Sequence, residues 1–304
     1  MKIAHLSDLH CLALDGVPMR RFLNKRFTGW ANLRLKRGSV HRAAYVHAIA
    51  REIARRGVDH VIVTGDLTNL ALDGEFELAR DVLEHELGHG AASVTIVPGN
   101  HDTYTRGAVE SRRFERHFRR WLLGDLPALA VDVGGALWPL VKLRGDVAIV
   151  ALSSAVPRPP FVAAGEIGDT QMAALARVLA HPEVAKRTLV VAIHHPAVQP
   201  WPRIKAHLEG LRDAPGLLAL LADVPRGLLL HGHLHRREQR SIPTRTGKLQ
   251  QIGATSASLH HESPDRMAGF NLYDVDERGL LRAEAVVFDP AQTSFHTESI
   301  PKHV

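Results

Sequence analysis

The chain of 304 residues is short of several things at once. It has one cysteine, Cys11, only three tyrosines and four tryptophans, and an aromatic share of 5%. A lone thiol has no internal partner, which excludes a disulfide scaffold and makes a reducing cytoplasm the expected compartment. No apolar run reaches the roughly 18 residues that a membrane-spanning helix needs, so no membrane-spanning helix is expected. Residues 1–10 meet Lys2 and Asp8 too early to hold the apolar core of a secretory signal, and they read as a strand. There is no internal repeat and no low-complexity linker. Hydrophobic residues at 45% and charged ones at 23% are ordinary globular proportions, and the length suits one large α/β domain spanning 1–304.

Two things are plentiful. The chain has 20 histidines, and its formal net charge is +6. The charge is localised. Residues 20–42 hold eight basic side chains (Arg20, Arg21, Lys25, Arg26, Arg34, Lys36, Arg37, Arg42) and no acid; without them the remainder is slightly acidic.

Hydrophobic patterning predicts strands alternating with helices. Residues 2–7, 59–64 and 93–97 read as buried strands, with helices at 41–56 and 74–87 between them. Further strands are expected at 147–152, 188–193 and 227–230. A strand-rich C-terminal part follows at about 242–289, where 270–275 and 283–288 are clearest. Buried strands separated by helices imply a layered α/β domain with helices outside.

Five strand exits carry polar residues, where open α/β sheets place their sites. They are Asp8 and His10; Asp66; Asn100 and His101; His194; and His233 and His235. Each alone reads as a turn or a cap, but no cap requires histidine at so many exits. Imidazole, carboxylate and amide oxygen together suit borderline to hard divalent ions such as Mn, Fe or Zn. A carboxylate shared by two such ions, with water activated between them, is chemistry for phosphoester hydrolysis.

The series Asp8-x-His10, Gly65-Asp66, Gly99-Asn100-His101-Asp102, His194 and Gly232-His233-x-His235 resembles the calcineurin-like metallophosphoesterases, with all five blocks in order. The resemblance implies a four-layer α/β/β/α sandwich with two mixed sheets and a dinuclear metal site at the strand ends. It implies that Asp8, His10 and His235 hold one metal, that Asn100, His194 and His233 hold the other, and that Asp66 bridges. His194 rather than His195 is the family's usual ligand. His101 is implied to stabilise or protonate the leaving group, with Asp102 orienting it. Protein Ser/Thr phosphatases carry arginines in the second block and before Gly-Asn-His; here the second block continues Leu67-Thr68-Asn69-Leu70-Ala71, and Pro98 precedes Gly99. Purple acid phosphatases carry tyrosine where Asn69 stands. The remaining resemblance is to the bacterial phosphodiesterase branch, which includes cyclic-nucleotide and glycerophosphodiester hydrolases.

Three other readings compete. His85-Glu86-Leu87-Gly88-His89 matches the zinc-protease pattern, but glycines at 88 and 90 end the helix that would align its histidines. The basic insertion at about 12–42 interleaves Phe22, Phe27 and Trp30 with its cations. It is expected to be a lid or wall over an anionic phosphoester substrate, a contact with nucleic acid or a membrane surface, or simple packing. The corresponding alternatives are hydrolysis of lipid-linked or nucleotide pyrophosphates at a membrane surface, or a nuclease or nucleic-acid-binding protein.

Overall fold

The computed structural model describes residues 1–13 and 41–303. Most of the basic insertion expected at about 12–42, including Phe22, Phe27 and Trp30, lies outside the described residues.

The first nine strands in chain order are β1 (Lys2–Leu6), β2 (His60–Val63), β3 (Val94–Ile96), β4 (Val131–Val133), β5 (Ala136–Trp138), β6 (Leu140–Arg144), β7 (Val147–Ala151), β8 (Thr188–Ala192) and β9 (Arg226–His231). The rest are β10 (Glu238–Pro243), β11 (Lys248–Gly253), β12 (Gly269–Asp276), β13 (Gly279–Asp289), β14 (Ser294–Ser299) and β15 (Lys302–His303). One sheet runs β14-β13-β12-β1-β2-β3 and the other β15-β10-β11-β9-β8-β7-β6, with β4 and β5 a separate hairpin. Both large sheets are mixed: β1, β2 and β3 pair in parallel, as do β7, β8 and β9, while β12 pairs antiparallel to β1.

The layers follow from strand alternation. On β7, Val147, Ile149 and Ala151 join the same hydrophobic cluster as β1 and β2, between the sheets. Ala148 and Val150 point the other way, into a second cluster with Leu175, Val178, Leu217 and Leu221. Outside the first sheet lies α1 (Ala43–Arg55), which buries Tyr45, Val46, Ile49, Ala50 and Ile53 on one face. It is followed by α2 (Asp73–Asp81), which runs on as a π-helix at Val82–Glu86. The short helices α3 (Arg106–Glu110) and α4 (Arg113–Phe118) follow β3. Outside the second sheet are α5 (Asp169–Ala180), with α6 (Pro182–Ala185) after it, and, past α7 (Arg203–Glu209), α8 (Ala214–Leu221). This is the expected α/β/β/α order. The helix expected from residue 41 begins at Ala43, because His41 is drawn into an extended bridge with Leu259. Short strands β4 to β6 and the late strands β14 and β15 are additions to the sequence reading. Among the described residues, no helix is long and apolar enough to cross a membrane.

Two histidines lie inside the first sheet, away from the site. His5 bonds Tyr273 Oη at 2.9 Å and Thr64 Oγ1 at 2.8 Å, and His60 bonds Thr95 Oγ1 at 2.8 Å. Burial drives His5 down to about 3, helped by the His231 imidazole beside it. Burial likewise drives His60 down to about 2, helped by the Lys142 and Arg144 cations. An unfolded chain protonates both near pH 6.5 while the folded protein does not, so stability is full above that pH and falls as pH drops toward 3. Each contributes a slope of about 1.4 kcal/mol per pH unit in that window. Through these two groups the melting temperature should decline as pH falls below 6, and His60→Gln should make that acid decline shallower. Superimposable wild-type and His60→Gln curves from pH 7.5 to 4 would count against this account.

Candidate metal centre

The parallel strands β1, β2, β3, β8 and β9 all deliver their C-terminal ends to one edge of the sandwich. The loops there are tied together through the main chain: Asp8 N–H donates to Gly65 O at 2.9 Å, His10 N–H to Asp66 O at 3.0 Å and Gly232 N–H to His194 O at 3.1 Å. Asp8, His10, Asp66, His233 and His235 all have positive φ, between 47° and 68°. Non-glycine residues rarely adopt that region, and when surrounding structure holds them there they concentrate at functional sites. Gly65, at φ 89°, has no room for a side chain, since a Cβ would stand 2.6 Å from Gly99 N and 2.7 Å from His194 Nδ1.

Three donors converge from β1 and the loop after β9. His10 Nε2 is 3.0 Å from His235 Nε2, and Asp8 Oδ1 is 3.1 Å from His235 Nε2 and 3.9 Å from His10 Nε2. Neighbouring donors on a four-coordinate ion stand roughly 3.4 Å apart, so the spacing suits one cation. Asp8 Oδ1 is buried without an aligned hydrogen-bond donor. A carboxylate oxygen in that state requires a positive partner, which a metal supplies. Asp8 Oδ2 is held by the N–H of His233 at 3.1 Å.

A second set gathers around Asn100. Its Oδ1 lies 3.1 Å from both His194 Nε2 and His233 Nδ1, and Asp66 Oδ2 is 3.5 Å from His194 Nε2. Main-chain carbonyls orient both rings. His194 Nδ1 meets Thr64 O at 2.6 Å, and His233 Nε2 meets Glu209 O at 2.9 Å. A carbonyl can only accept, so those nitrogens carry the protons and the opposite ones present lone pairs. The Glu209 carbonyl is one of the intrahelically unpaired acceptors at the end of α7. Asp66 belongs to both neighbourhoods, grouping with Asp8 and His194 on one side and with His10 and His101 on the other.

His195 is turned away. Its Nδ1 bonds Ser154 Oγ at 2.8 Å and its Nε2 bonds Ala163 O at 2.9 Å, so both ring nitrogens are engaged inside the fold. It is also close to His194 and His233, but only His194 directs a nitrogen at Asn100 and Asp66.

Burial opposes ionisation of Asp66, yet the neighbouring His194 and His101 imidazoles hold its carboxyl well below the usual range. Burial keeps His10 well below its ordinary value and takes His233 down to about 3. Burial opposes a charge on His194, but the Asp66 carboxylate beside it outweighs burial and raises that imidazole to about 9, so a metal ligated there would displace its proton. The donor types and spacing of the His/Asp clusters fit divalent cations, with Asp66 close to both sets.

His101 reaches the centre from the loop after β3. Its N–H donates to Asp66 Oδ1 at 2.8 Å, and its Nδ1 meets the Asn69 carbonyl at 2.6 Å. The ring stacks on Tyr104, with centroids 5.4 Å apart. The orienting group on Nδ1 is therefore the Asn69 carbonyl, where the sequence reading had the Asp102 carboxylate. Asp102 instead accepts from the N–H groups of Leu67, Thr68 and Gly99 and from Thr68 Oγ1, at 2.9–3.2 Å, and so joins the second and third loops. Burial and the Asp66 charge push its carboxyl up to about 7. The Asn69 side chain ties the second loop to the first, donating to His10 O at 2.5 Å.

The zinc-protease-like stretch does not assemble a site. The π-helix stops at Glu86, Gly88 takes φ 71°, and both ring nitrogens of His89 bond the carbonyls of Leu87 and Val58. Glu86 pairs with His47 and Arg51.

The fold aligns with a dimetal phosphatase from Danio rerio at 14% identity and a TM-score of 0.56, covering 98% of each chain. It also aligns with a purple acid phosphatase from yellow lupin (Lupinus luteus) seeds at 11% identity and a TM-score of 0.57. That alignment covers 99% of this chain and 53% of the lupin chain, so the chain spans about half the length of that relative. No curated protein matches the sequence. The family description for calcineurin-like phosphoesterases matches residues 1–237, so the chain belongs to that family.

Proposed function

We propose that this protein is a dinuclear-metal phosphodiesterase, in which Asp8, His10 and His235 hold one ion, Asn100, His194 and His233 the other, and Asp66 both. The observation that carries this reading is the convergence of seven donor side chains on one point, with Asp66 between the two sets. Bound divalent cations supply Lewis acidity for the phosphoryl oxygens and make water nucleophilic near neutral pH. The rest falls to the chain. The Thr64 and Glu209 carbonyls keep the His194 and His233 rings aimed. The Asn69 carbonyl keeps the His101 proton on Nδ1, so Nε2 is the atom that exchanges a proton with the leaving oxygen.

Preference for a diester is supported by what lines the second loop. Leu70 is buried at the position where protein phosphatases carry the arginine of this block. A monoester carries an extra negative charge and gains more from cationic clamps than a diester does. With Mn, Fe or Zn restored, kcat/KM for bis-p-nitrophenyl phosphate should exceed that for p-nitrophenyl phosphate by about tenfold or more, a difference near 1.4 kcal/mol in the barrier. Including cyclic nucleotides and glycerophosphodiesters in the panel would identify the substrate class, and a monoester preference with every metal would overturn the assignment.

A further inference from the structure

We propose that His41 is an additional ligand of the metal held by Asp8, His10 and His235, which makes that position a three-imidazole site. The proposal rests on the dinuclear reading above and adds a residue from outside the five motif blocks.

His41 stands just ahead of α1. One ring nitrogen lies within 4.8 Å of donor atoms of both His10 and His235, and the same holds between those two. The three rings meet edge to face, with centroids 4.9 Å apart for His10 and His41, 5.7 Å for His41 and His235, and 4.9 Å for His10 and His235. Three imidazoles gathered this closely form a donor set for a borderline transition metal.

The chain also builds a support for this ring. His41 Nδ1 is 2.7 Å from Ser258 Oγ, which is 3.1 Å from Ser256 Oγ, and Ser256 Oγ donates to the carbonyl of Asp8 at 2.6 Å. The backbone repeats the tie: Arg42 N–H donates to Ser258 O at 2.8 Å, and His41 bridges Leu259. Polar groups that hold and orient the ring are the usual support around a ligating histidine, and Ser258 Oγ takes that place here. Here the relay ends on the main chain of another ligand, so His41 and Asp8 are positioned by one element.

The chemical consequence is selectivity. A third imidazole adds a neutral nitrogen donor at one position only, which favours Mn, Fe, Co or Zn over Mg or Ca there and leaves the Asn100 side as the harder position.

The test is a Co(II) titration of the metal-stripped full chain, followed by visible absorption and calorimetry. Wild type should bind two ions. His41→Ala should weaken one of them by about 10–100-fold, the range known for disturbed ligand environments, with a changed absorption band and the other ion within twofold. His41→Gln can still bond Ser258 but offers a poor ligand, so it should resemble His41→Ala; recovery of wild-type affinity by Gln would mean that the ring acts only by packing and would overturn the proposal. Arg42→Ala, an exposed neighbour, serves as the folding control and should bind as wild type does. Two unchanged affinities in His41→Ala would also overturn it while leaving the dinuclear reading intact. Wild type that binds no Co(II) would instead refute that reading itself.

Discussion

Replacing Asp66 by Asn should abolish turnover and strip the protein of at least one metal while leaving it folded. Asn is the informative substitution because Asp66 sits at φ 52°, where Asn is tolerated and Ala adds backbone strain. The amide keeps an oxygen for the N–H of His101, now 2.8 Å from Oδ1, so the loop after β3 has no reason to move. What is lost is the negative charge between two cations. Without it they repel each other across a short distance in a buried site, and the ion with fewer anionic ligands leaves. That is the Asn100 side, whose other donors are neutral. Disturbing a group that merely orients a ligand already costs about 10–100-fold, so losing the shared ligand should exceed roughly 10²-fold in kcat. Elemental analysis beside a melting curve separates metal loss from unfolding. Two metals and wild-type turnover in Asp66→Asn, or full activity in a rigorously stripped wild type, would sink the assignment.

The second large effect belongs to His101. His101→Ala should lower kcat on a diester with an alkoxide leaving group by about 10²–10⁴-fold, with metal content unchanged. With p-nitrophenolate, which departs without a proton, the loss should be within about tenfold. The split follows from the geometry. The contact of His101 with Asp66 is made by its main chain, which alanine retains, whereas the ring is held by the Asn69 carbonyl and Tyr104. Equal losses on good and poor leaving groups would reduce His101 to a structural role.

Much of this centre is legible in the primary structure because its parts are local. A β-branched strand followed by a short polar turn is a nearest-neighbour pattern, and five such exits place Asp8, His10, Asp66, Asn100, His101, His194, His233 and His235 at one edge once the strands run parallel. The glycines beside them are legible as parts of the motif blocks, although the close approach of Gly65 to Gly99 that excludes a side chain is seen only in the structure. The amphipathic pattern of α1 and the buried runs of β7, β8 and β9 were enough to expect a layered α/β domain with helices outside, and the division into two sheets was implied by the family resemblance.

Other features had no local signal. The sequence offers two adjacent histidines at 194 and 195, and only their partners tell them apart: Thr64 O turns one ring into the site, while Ser154 and Ala163 turn the other out. The groups that orient His101 and His233 are carbonyls of Asn69 and Glu209, and every residue has a carbonyl, so residue type carries no information about them. Asp102 reads as a partner for the histidine next to it, yet the loop takes its carboxylate for backbone donors of a segment more than thirty positions earlier. His41 lies outside every motif and reaches the centre because α1 docks on the first sheet and Ser258 arrives from the far end of the chain. The sequence by itself thus determined the donor types and the strand exits that carry them, since both depend on residues a few positions apart. The tertiary structure alone decided which nitrogen faces which partner, because β1 lies between β2 and β12 and brings together side chains from opposite ends of the chain.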